Sequence, residues 1–215
     1  MAKIITVEEA ASMVKDGMSV MVSGFWGVGA ADKILHQIVA NGTKNLTGIS
    51  ISASMEGRGV GILIEAKSIS NFIASYVGRN KAAAAQIAAG ELKVEFSPQG
   101  TLAERVRAGG FGLGGVLTPT ALGTELAAGK PIINVDGKDF VLEKALKADV
   151  ALIKASKADK AGNLVYRKAA RNNNPIMASA GKITICQVDE IVEIGEIDPD
   201  DVMTPAVFID YLVQS

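Results

Sequence analysis

Short apolar runs alternate with helical patterns along the first half of the chain. The runs are rich in Val, Ile and Leu and are bounded by turn residues, which is typical of buried strands. The segments between them carry helical patterns that end on Asn-Gly or Gly. This alternation predicts a parallel sheet covered by helices. The predicted strands are 18–23, 46–52, 69–77 and 91–96, and the predicted helices include 32–40 and 82–90.

Two Thr-x-x-Glu motifs predict helix starts. In Thr6–Glu9 and Thr101–Glu104 the threonine hydroxyl can accept an N–H of the first turn, and the glutamate can reach back to the cap. The first motif opens a helix that ends at Asp16-Gly17. The second places Gln99 just before a helix N-terminus, where free amides and the helix dipole favour negative charge.

The second half of the chain changes pattern. Asp136-Gly137 between two apolar stretches predicts a type I′ hairpin, and 148–156 and 182–195 are strand-like. The segment 204–213 fits a last strand or a helix, and the pattern does not separate the two. We therefore expect one domain, 1–215, of α/β class: an open, mostly parallel sheet with helices on both faces and β-hairpin decorations.

Composition narrows the class of protein. The chain has 215 residues, of which 48% are hydrophobic and 21% charged, so it can bury a substantial core. A net charge of −1 provides no general field for nucleic acid or an anionic membrane. Cys186 is the only cysteine, which excludes an internal disulfide, and we see neither a signal peptide nor a membrane span. We expect a soluble, cytoplasmic protein.

A glycine-containing loop, here called the glycine loop, spans Ser23–Gly29. It follows a predicted strand and precedes a predicted helix, where backbone amides can bind an anion. Its spacing is not G-x-G-x-x-G, and no acidic residue follows the second strand, which argues against a dinucleotide site. Trp26, the only tryptophan, can either line a ligand groove or anchor the loop. The loop consists of Ser23, Gly24, Phe25, Trp26, Gly27, Val28 and Gly29.

A second glycine-rich stretch lies between the predicted helix after Gln99 and the following segment. Five of the seven residues in 109–115 are glycine, which is more than a simple turn requires and permits close approach of a ligand. A plain helix-to-strand turn is the alternative, because helices often end on glycine. The candidate residues here are Gly109, Gly110, Gly112, Gly114, Gly115, Thr118, Pro119 and Thr120.

Other chemistry-bearing residues favour structural roles. His36, the only histidine, lies within a predicted helix as a surface or packing residue, so a multi-histidine metal site is excluded and no metal is expected. Cys186 lies in an apolar strand as an inert thiol. The acids of 198–201 fit a helix start. The basic residues of 167–171 fit a solvated face, or, beside Asn172–Pro175, a contact for phosphate or a partner chain.

Several segments together resemble the α (A) subunit of family I CoA-transferases, most of all the acetate or butyrate–acetoacetate enzymes. The similarity runs through nearly the whole chain in order. The segments that carry it are DGMSVMVSGFWGVG (16–29), PQGTLAERVRAGG (98–110), GLGGVLTPTALGT (112–124), ADVALIKA (148–155) and AGNLVYRKAARNNNP (161–175).

This resemblance implies half of an enzyme. A glutamate on the β subunit would attack the acyl-CoA in a ping-pong reaction, and its Ser-Glu-Asn-Gly-type segment is absent here. The family implies that the partner is a CoA-transferase β subunit, in an α2β2 or larger assembly. Coenzyme A and carboxylic acids would be substrates, and no cofactor would be bound permanently.

Site residues follow from the same resemblance. The glycine loop would contact CoA, and the amide of Gln99 would support the acyl oxyanion. The stretch Gly109–Gly115 with Thr118–Thr120 would shape the acyl pocket. Arg105 and Glu104 would orient Gln99 or pair with each other, a structural role.

The chain also departs from the family pattern. Relatives have Gly-Gly-Phe at 23–25, proline at 31, asparagine near 52 and often an aromatic residue at 173, where this chain has Ser-Gly-Phe, Ala31, Ser52 and Asn173. Ser52 or Ser54 would have to replace the missing asparagine. The substrate class therefore stays open between acetyl or butyryl donors and succinyl or 3-oxoadipyl donors. For the latter, Arg58 and Arg79 are the candidate cations. A non-catalytic CoA-binding subunit is a third possibility.

Overall fold

A large, mostly parallel sheet and a small antiparallel sheet contain all twelve strands of the computed structural model, which describes residues 1–215. The strands are β1 (Lys3–Ile4), β2 (Ser19–Val22), β3 (Leu46–Ile49), β4 (Ile69–Ala74), β5 (Lys93–Phe96), β6 (Gly115–Thr118), β7 (Ile132–Val135), β8 (Lys138–Lys144), β9 (Ala148–Asp159), β10 (Leu164–Val165), β11 (Gly181–Val192) and β12 (Tyr211–Gln214).

Six α-helices connect or cover these strands, and none has the length and apolar character needed to cross a membrane. They are α1 (Val7–Ser12), α2 (Asp32–Ala40), α3 (Val60–Glu65), α4 (Lys81–Ala88), α5 (Gln99–Gly110) and α6 (Asn174–Ala180).

The large sheet has the order β1-β12-β11-β9-β2-β3-β4-β5, and every neighbouring pair on this path is parallel. Only β10, which pairs with β9, is antiparallel. The predicted mostly parallel sheet is therefore confirmed. In the small sheet, β8 lies between β6 and β7.

Helices cover both faces of the large sheet, as predicted. Val20 and Val22 of β2 face one side, where they share a core with α1 to α4. Met21, between them, faces the other side and shares a second core with α5 and α6. This division follows from the period of two along a strand, since a parallel sheet inside an α/β protein is buried on both faces.

Local signals located several boundaries. Thr6 forms the predicted capping box, with the Glu9 N–H donating to Thr6 Oγ1 at 3.1 Å and the Thr6 N–H donating to Glu9 Oε2 at 2.9 Å. The turn at Asp136 (φ 50°) and Gly137 (φ 77°) joins β7 to β8 in the predicted type I′ hairpin. Helix α2 has the predicted bounds.

The second predicted capping box is wrong. Helix α5 begins at Gln99, with Pro98 at the N-cap and no side-chain cap. Pro98 has the extended backbone that an N-cap requires (φ −52°, ψ 142°), so the helix starts before Thr101. Thr101 is consequently buried in the first turn, and Glu104 forms an ion pair with Arg107.

Two helices were not predicted. Five of the six residues of α3 are buried, so its sequence VGILIE lacks the polar face from which a helical period is recognised. Helix α6 is seven residues long and follows the Asn-rich run 172–174. The ambiguous segment 204–213 contains both a 3₁₀ helix, Ala206–Phe208, and the start of β12.

Two glycines of the Gly109–Gly115 stretch permit close packing at the end of α5. A Cβ on Gly109 would lie 1.9 Å from the Leu146 carbonyl oxygen, and one on Gly110 would lie 2.0 Å from Ser179 Oγ. Separations this short are far inside van der Waals contact. The absence of a side chain at both positions is thus explained by helix packing.

Replacing Gly109 by alanine is expected to lower the free energy of unfolding by about 1–3 kcal/mol, because the added methyl group overpacks the contact with Leu146. Urea denaturation of both proteins measures the difference. Gly100→Ala is the matched control in the same helix, where a Cβ meets no atom within 4 Å; it should be neutral or stabilising by up to about 1 kcal/mol. Equal effects of the two substitutions would refute the packing argument.

Candidate active site

A pocket of about 360 Å³ lies at the carboxyl edge of the large sheet. Four neighbouring parallel strands, β2 to β5, end at this edge, and residues after each of them line the pocket. Ligands of open α/β sheets characteristically bind outside the carboxyl ends of the strands. The lining residues are Phe25, Trp26, Ile51, Ser52, Ser75, Tyr76 and Gln99.

The glycine loop contributes Phe25 and Trp26 through a tight turn. Phe25 and Val28 exchange two main-chain hydrogen bonds, of 3.0 and 2.9 Å, around Trp26 (φ 55°) and Gly27 (φ 84°). A bulky residue rarely adopts positive φ, so the loop holds Trp26 in an unfavourable conformation. Behind the turn, a Cβ on Gly27 would lie 2.6 Å from the Cβ of Arg58. The turn is therefore closely backed and presents Trp26 to the pocket.

Polar side chains from other segments hold the end of this loop. Asn172 Nδ2 donates to the Val28 carbonyl at 3.1 Å, and Asn174 Nδ2 donates to the Gly29 carbonyl at 3.0 Å. The hydroxyl of Ser23 donates to the same Gly29 carbonyl at 2.9 Å. Sequence reasoning missed this anchoring role, although the run of three asparagines next to a helix was a visible signal.

Replacing Asn174 by alanine is expected to loosen the glycine loop and to lower the free energy of unfolding by about 1–3 kcal/mol. The buried Asn174 side chain also accepts the Lys154 N–H at 2.8 Å, so its removal leaves two main-chain groups without partners. Acrylamide quenching of Trp26, the only tryptophan, measures the loosening, and thermal unfolding measures the loss of stability. The exposed Asn172 provides the control: Asn172→Ala should change stability by less than about 1 kcal/mol.

Gln99 and Ser52 reach the pocket from different strands. Gln99 is the first residue of α5 and is exposed at the pocket wall. Ser52 is buried, and its Oγ accepts the Ser54 N–H at 3.3 Å. Of the two serines near the position of the missing asparagine, Ser52 is the one that lines the pocket beside Gln99.

The second glycine-rich stretch does not reach this pocket. Gln99 begins α5 and Gly110 ends it, so about 16 Å of helix separates them. The expected gathering of this stretch around Gln99 is not found within the chain, because α5 extends through Gly109 and Gly110 instead of ending before them. The residues concerned are Gly109, Gly110, Gly112, Gly114, Gly115, Thr118, Pro119 and Thr120.

No carboxylate, thiol or imidazole lines the pocket. Cys186 is fully buried in β11, and burial raises the pKa of its thiol well above the ordinary value, so it stays protonated. The predicted inert thiol is confirmed. His36 lies exposed on α2, as a surface residue. This part of the chain therefore holds a polar amide and hydroxyls, but no nucleophile.

A larger cavity of about 560 Å³ lies on the far side of Gly29. Three cationic and five acidic side chains line it, and two of the cations, Lys154 and Lys157, are already paired with Asp189 and Glu190. An excess of carboxylates disfavours phosphate groups. Among those acids, Asp198 caps a 3₁₀ helix, which confirms the predicted helix start.

Exposed apolar side chains surround the small pocket. Phe25, Val28, Met55, Tyr76 and Phe96 are each between 42% and 48% exposed. A cluster of large apolar side chains around a pocket is typical of a surface that another protein covers. We call these five residues the apolar rim.

Comparison with known proteins decides the family. The family model described as coenzyme A transferase matches residues 4–215. The chain belongs to the coenzyme A transferase family. It is 50% identical over 203 residues to one of the subunits of a succinyl-CoA:3-ketoacid coenzyme A transferase from Xanthomonas campestris, covering 94% of this chain and 84% of that one. It is 44% identical over 213 residues to an acetoacetyl-CoA:acetate/butyrate CoA transferase alpha subunit of Clostridium acetobutylicum, covering 99% and 98%.

Solved structures agree on the fold of this family member. An acyl-CoA transferase from Escherichia coli O157:H7, solved as a thioester complex with CoA, superposes with a TM-score of 0.87 at 18% identity. The match covers all of this chain and 50% of that one, so the chain spans about half the length of that protein. The predicted family and the predicted α/β fold are both confirmed.

Proposed function

We propose that this chain is the α subunit of a two-subunit CoA-transferase that moves CoA between a short-chain acyl-CoA and a carboxylate such as acetoacetate. The observation that carries the proposal is the pocket in which Gln99, Ser52 and Trp26 meet without any nucleophile of the same chain. Such a pocket can bind and polarise an acyl group, but it needs a reactive group from elsewhere.

In the proposed reaction, the thioester carbonyl of the acyl-CoA is attacked by a glutamate carboxylate of the β subunit. The C–S bond breaks, and CoA leaves as a thiolate from an acyl-glutamyl anhydride. The thiolate then attacks the glutamyl carbonyl, which releases the first acid and leaves an enzyme–CoA thioester. The acceptor carboxylate reverses these steps. The Gln99 side-chain amide donates a hydrogen bond to the oxyanion of each tetrahedral intermediate.

Two features support a partnership with a β subunit, in an α2β2 or larger assembly. The apolar rim surrounds the pocket at the place where a partner's glutamate would have to enter. In addition, an acyl-CoA transferase of the same fold has a chain about twice as long as this one. The missing half of the site would then come from a separate polypeptide.

The glycine loop is the proposed contact for CoA, which acts as a substrate, with no permanently bound cofactor. The N–H groups of Phe25 and Val28 bond within the turn, so any contact to CoA would use the other amides of the loop, such as those of Trp26 and Gly27. We further propose one domain over residues 1–215, a cytoplasmic location, and no nucleic-acid or membrane partner.

Acetyl-CoA or butyryl-CoA with acetoacetate is the leading substrate pair, in line with the name of the Clostridium acetobutylicum relative. A succinyl-CoA:3-oxoacid or 3-oxoadipate transferase is the second candidate. The name of the Xanthomonas campestris relative favours it, and so does an arginine beside the pocket that is described below.

Reconstitution tests the proposal. The chain, copurified with its β subunit, should transfer CoA from acetyl-CoA to acetoacetate, and neither polypeptide should do so by itself. Absence of transfer from every short-chain donor would refute a catalytic role. If CoA still bound to the assembly, the result would favour the third possibility, a CoA-binding subunit.

A further inference from the structure

Arg79 lies over the ring of Trp26 beside the pocket. Its guanidinium carbon is 5.0 Å from the ring centre, within the range of a cation–π interaction. Arg79 is exposed and takes part in none of the nine ion pairs of the chain. Its charge is therefore positioned by an aromatic ring and is not neutralised by a carboxylate.

The position of Arg79 connects directly to the pocket that contains Gln99. Arg79 lines a narrow crevice, and Trp26, Ser52 and Tyr76 form walls of both the crevice and the pocket. No other charged residue lines either space. An acyl group bound near Gln99 would thus have one cation within the adjoining space and no anion.

The backbone around Arg79 is held firmly. The next residue, Asn80, is buried; its Oδ1 accepts the Ala83 N–H at 2.8 Å and its Nδ2 donates to the Ala53 carbonyl at 3.1 Å. The Ala53 N–H in turn donates to the Tyr76 carbonyl at 2.9 Å. The loop before α4 is consequently tied to the loop after β3, which contains Ser52.

We propose that Arg79, stacked on Trp26, is a specificity-determining residue that binds the second carboxylate of a dicarboxylate-derived acyl group such as succinyl. This inference rests on the proposed function and names the acyl class that the site prefers. A guanidinium stacked on a ring keeps the N–H groups at its edge free for a bidentate contact with a carboxylate. An acetyl or butyryl group has no charge with which to use that contact.

The other candidate cation does not share this position. Arg58 packs its Cβ against Gly27 behind the turn and lines neither the pocket nor the crevice. Both arginines are exposed and both lie in loops at the same edge of the sheet. Arg58 is therefore a matched control for the loss of one positive charge near the site.

Steady-state kinetics of the complete α–β assembly with succinyl-CoA and acetyl-CoA, each with acetoacetate, tests the inference. Arg79→Gln should lower kcat/KM for succinyl-CoA by about 10- to 100-fold, as expected for loss of a charge-assisted bidentate contact. The value for acetyl-CoA should change by less than about 3-fold. Arg79→Lys should fall between, because lysine keeps the charge but loses the planar fork. Arg58→Gln should leave the ratio of the two donors unchanged.

Three results would overturn the inference. The first is an equal loss for both donors in Arg79→Gln, the second is no loss for either, and the third is a wild-type assembly that uses acetyl-CoA but not succinyl-CoA. In all three the proposed transferase function stands. If the wild-type assembly used no donor at all, the proposed function would fail together with the inference.

Discussion

Gln99→Ala, assembled with the β subunit, is expected to turn over acyl-CoA about 10²- to 10³-fold more slowly than the wild-type assembly. The substitution removes the hydrogen-bond donor that the proposed mechanism places on the oxyanion. Since this contact is strongest in the transition state, kcat should fall much more than KM rises. Initial rates of CoA transfer to acetoacetate measure both quantities.

Folding should not contribute to that loss. Gln99 is exposed, and the N-cap of α5 is the backbone of Pro98, so the thermal midpoint should stay within about 1–2 °C of wild type. Gln37→Ala is the matched control, since Gln37 bonds only to Asn41 on the surface of α2. An unchanged kcat in Gln99→Ala would instead favour the CoA-binding subunit.

Arg105→Met is expected to lower the free energy of unfolding by about 3–5 kcal/mol, because it leaves a buried carboxylate short of its partners. Arg105 is 7% exposed and Glu143 only 2%, with 3.8 Å between Arg105 Nε and Glu143 Oε2. The same guanidinium bonds to Glu95 at 2.7 Å and to the Lys144 carbonyl at 2.9 Å. It thereby ties α5 to β5 and to the small sheet.

The neighbouring Arg107 provides the control for this prediction. It pairs with Glu104 on the surface of the same helix, where both side chains are at least 44% exposed. Arg107→Met should therefore cost less than about 0.5 kcal/mol in urea denaturation. Similar losses from the two substitutions would show that burial does not govern the strength of these pairs. The geometry also corrects the expectation that Arg105 and Glu104 pair with each other.

Local sequence patterns located most elements of the large sheet. The bounds of α2, the hairpin at Asp136-Gly137 and the capping box at Thr6 depend on residues close together in the chain, so they can be read without the fold. Helix α3 was missed for the opposite reason. Its apolar character results from burial on nearly all sides, which only the packed structure reveals.

The candidate site shows the same limit. Resemblance singled out Gln99, Ser52 and the glycine loop, but the strand order β2-β3-β4-β5 brings them to one pocket. The same geometry excludes the Gly109–Gly115 stretch from that pocket, although its composition is typical of ligand loops. The local reading could not weigh the close contact between α5 and Leu146.

The sequence by itself determined the family, the α/β class and the absence of a nucleophile at the recognised motifs, because these depend on residue identity and short spacing. The tertiary structure alone decided which residues meet. It placed Arg79 on Trp26, put Arg58 behind the turn, and used Asn174 to hold Gly29. Those contacts join segments distant in the chain, and they form only when the parallel strands are brought into register.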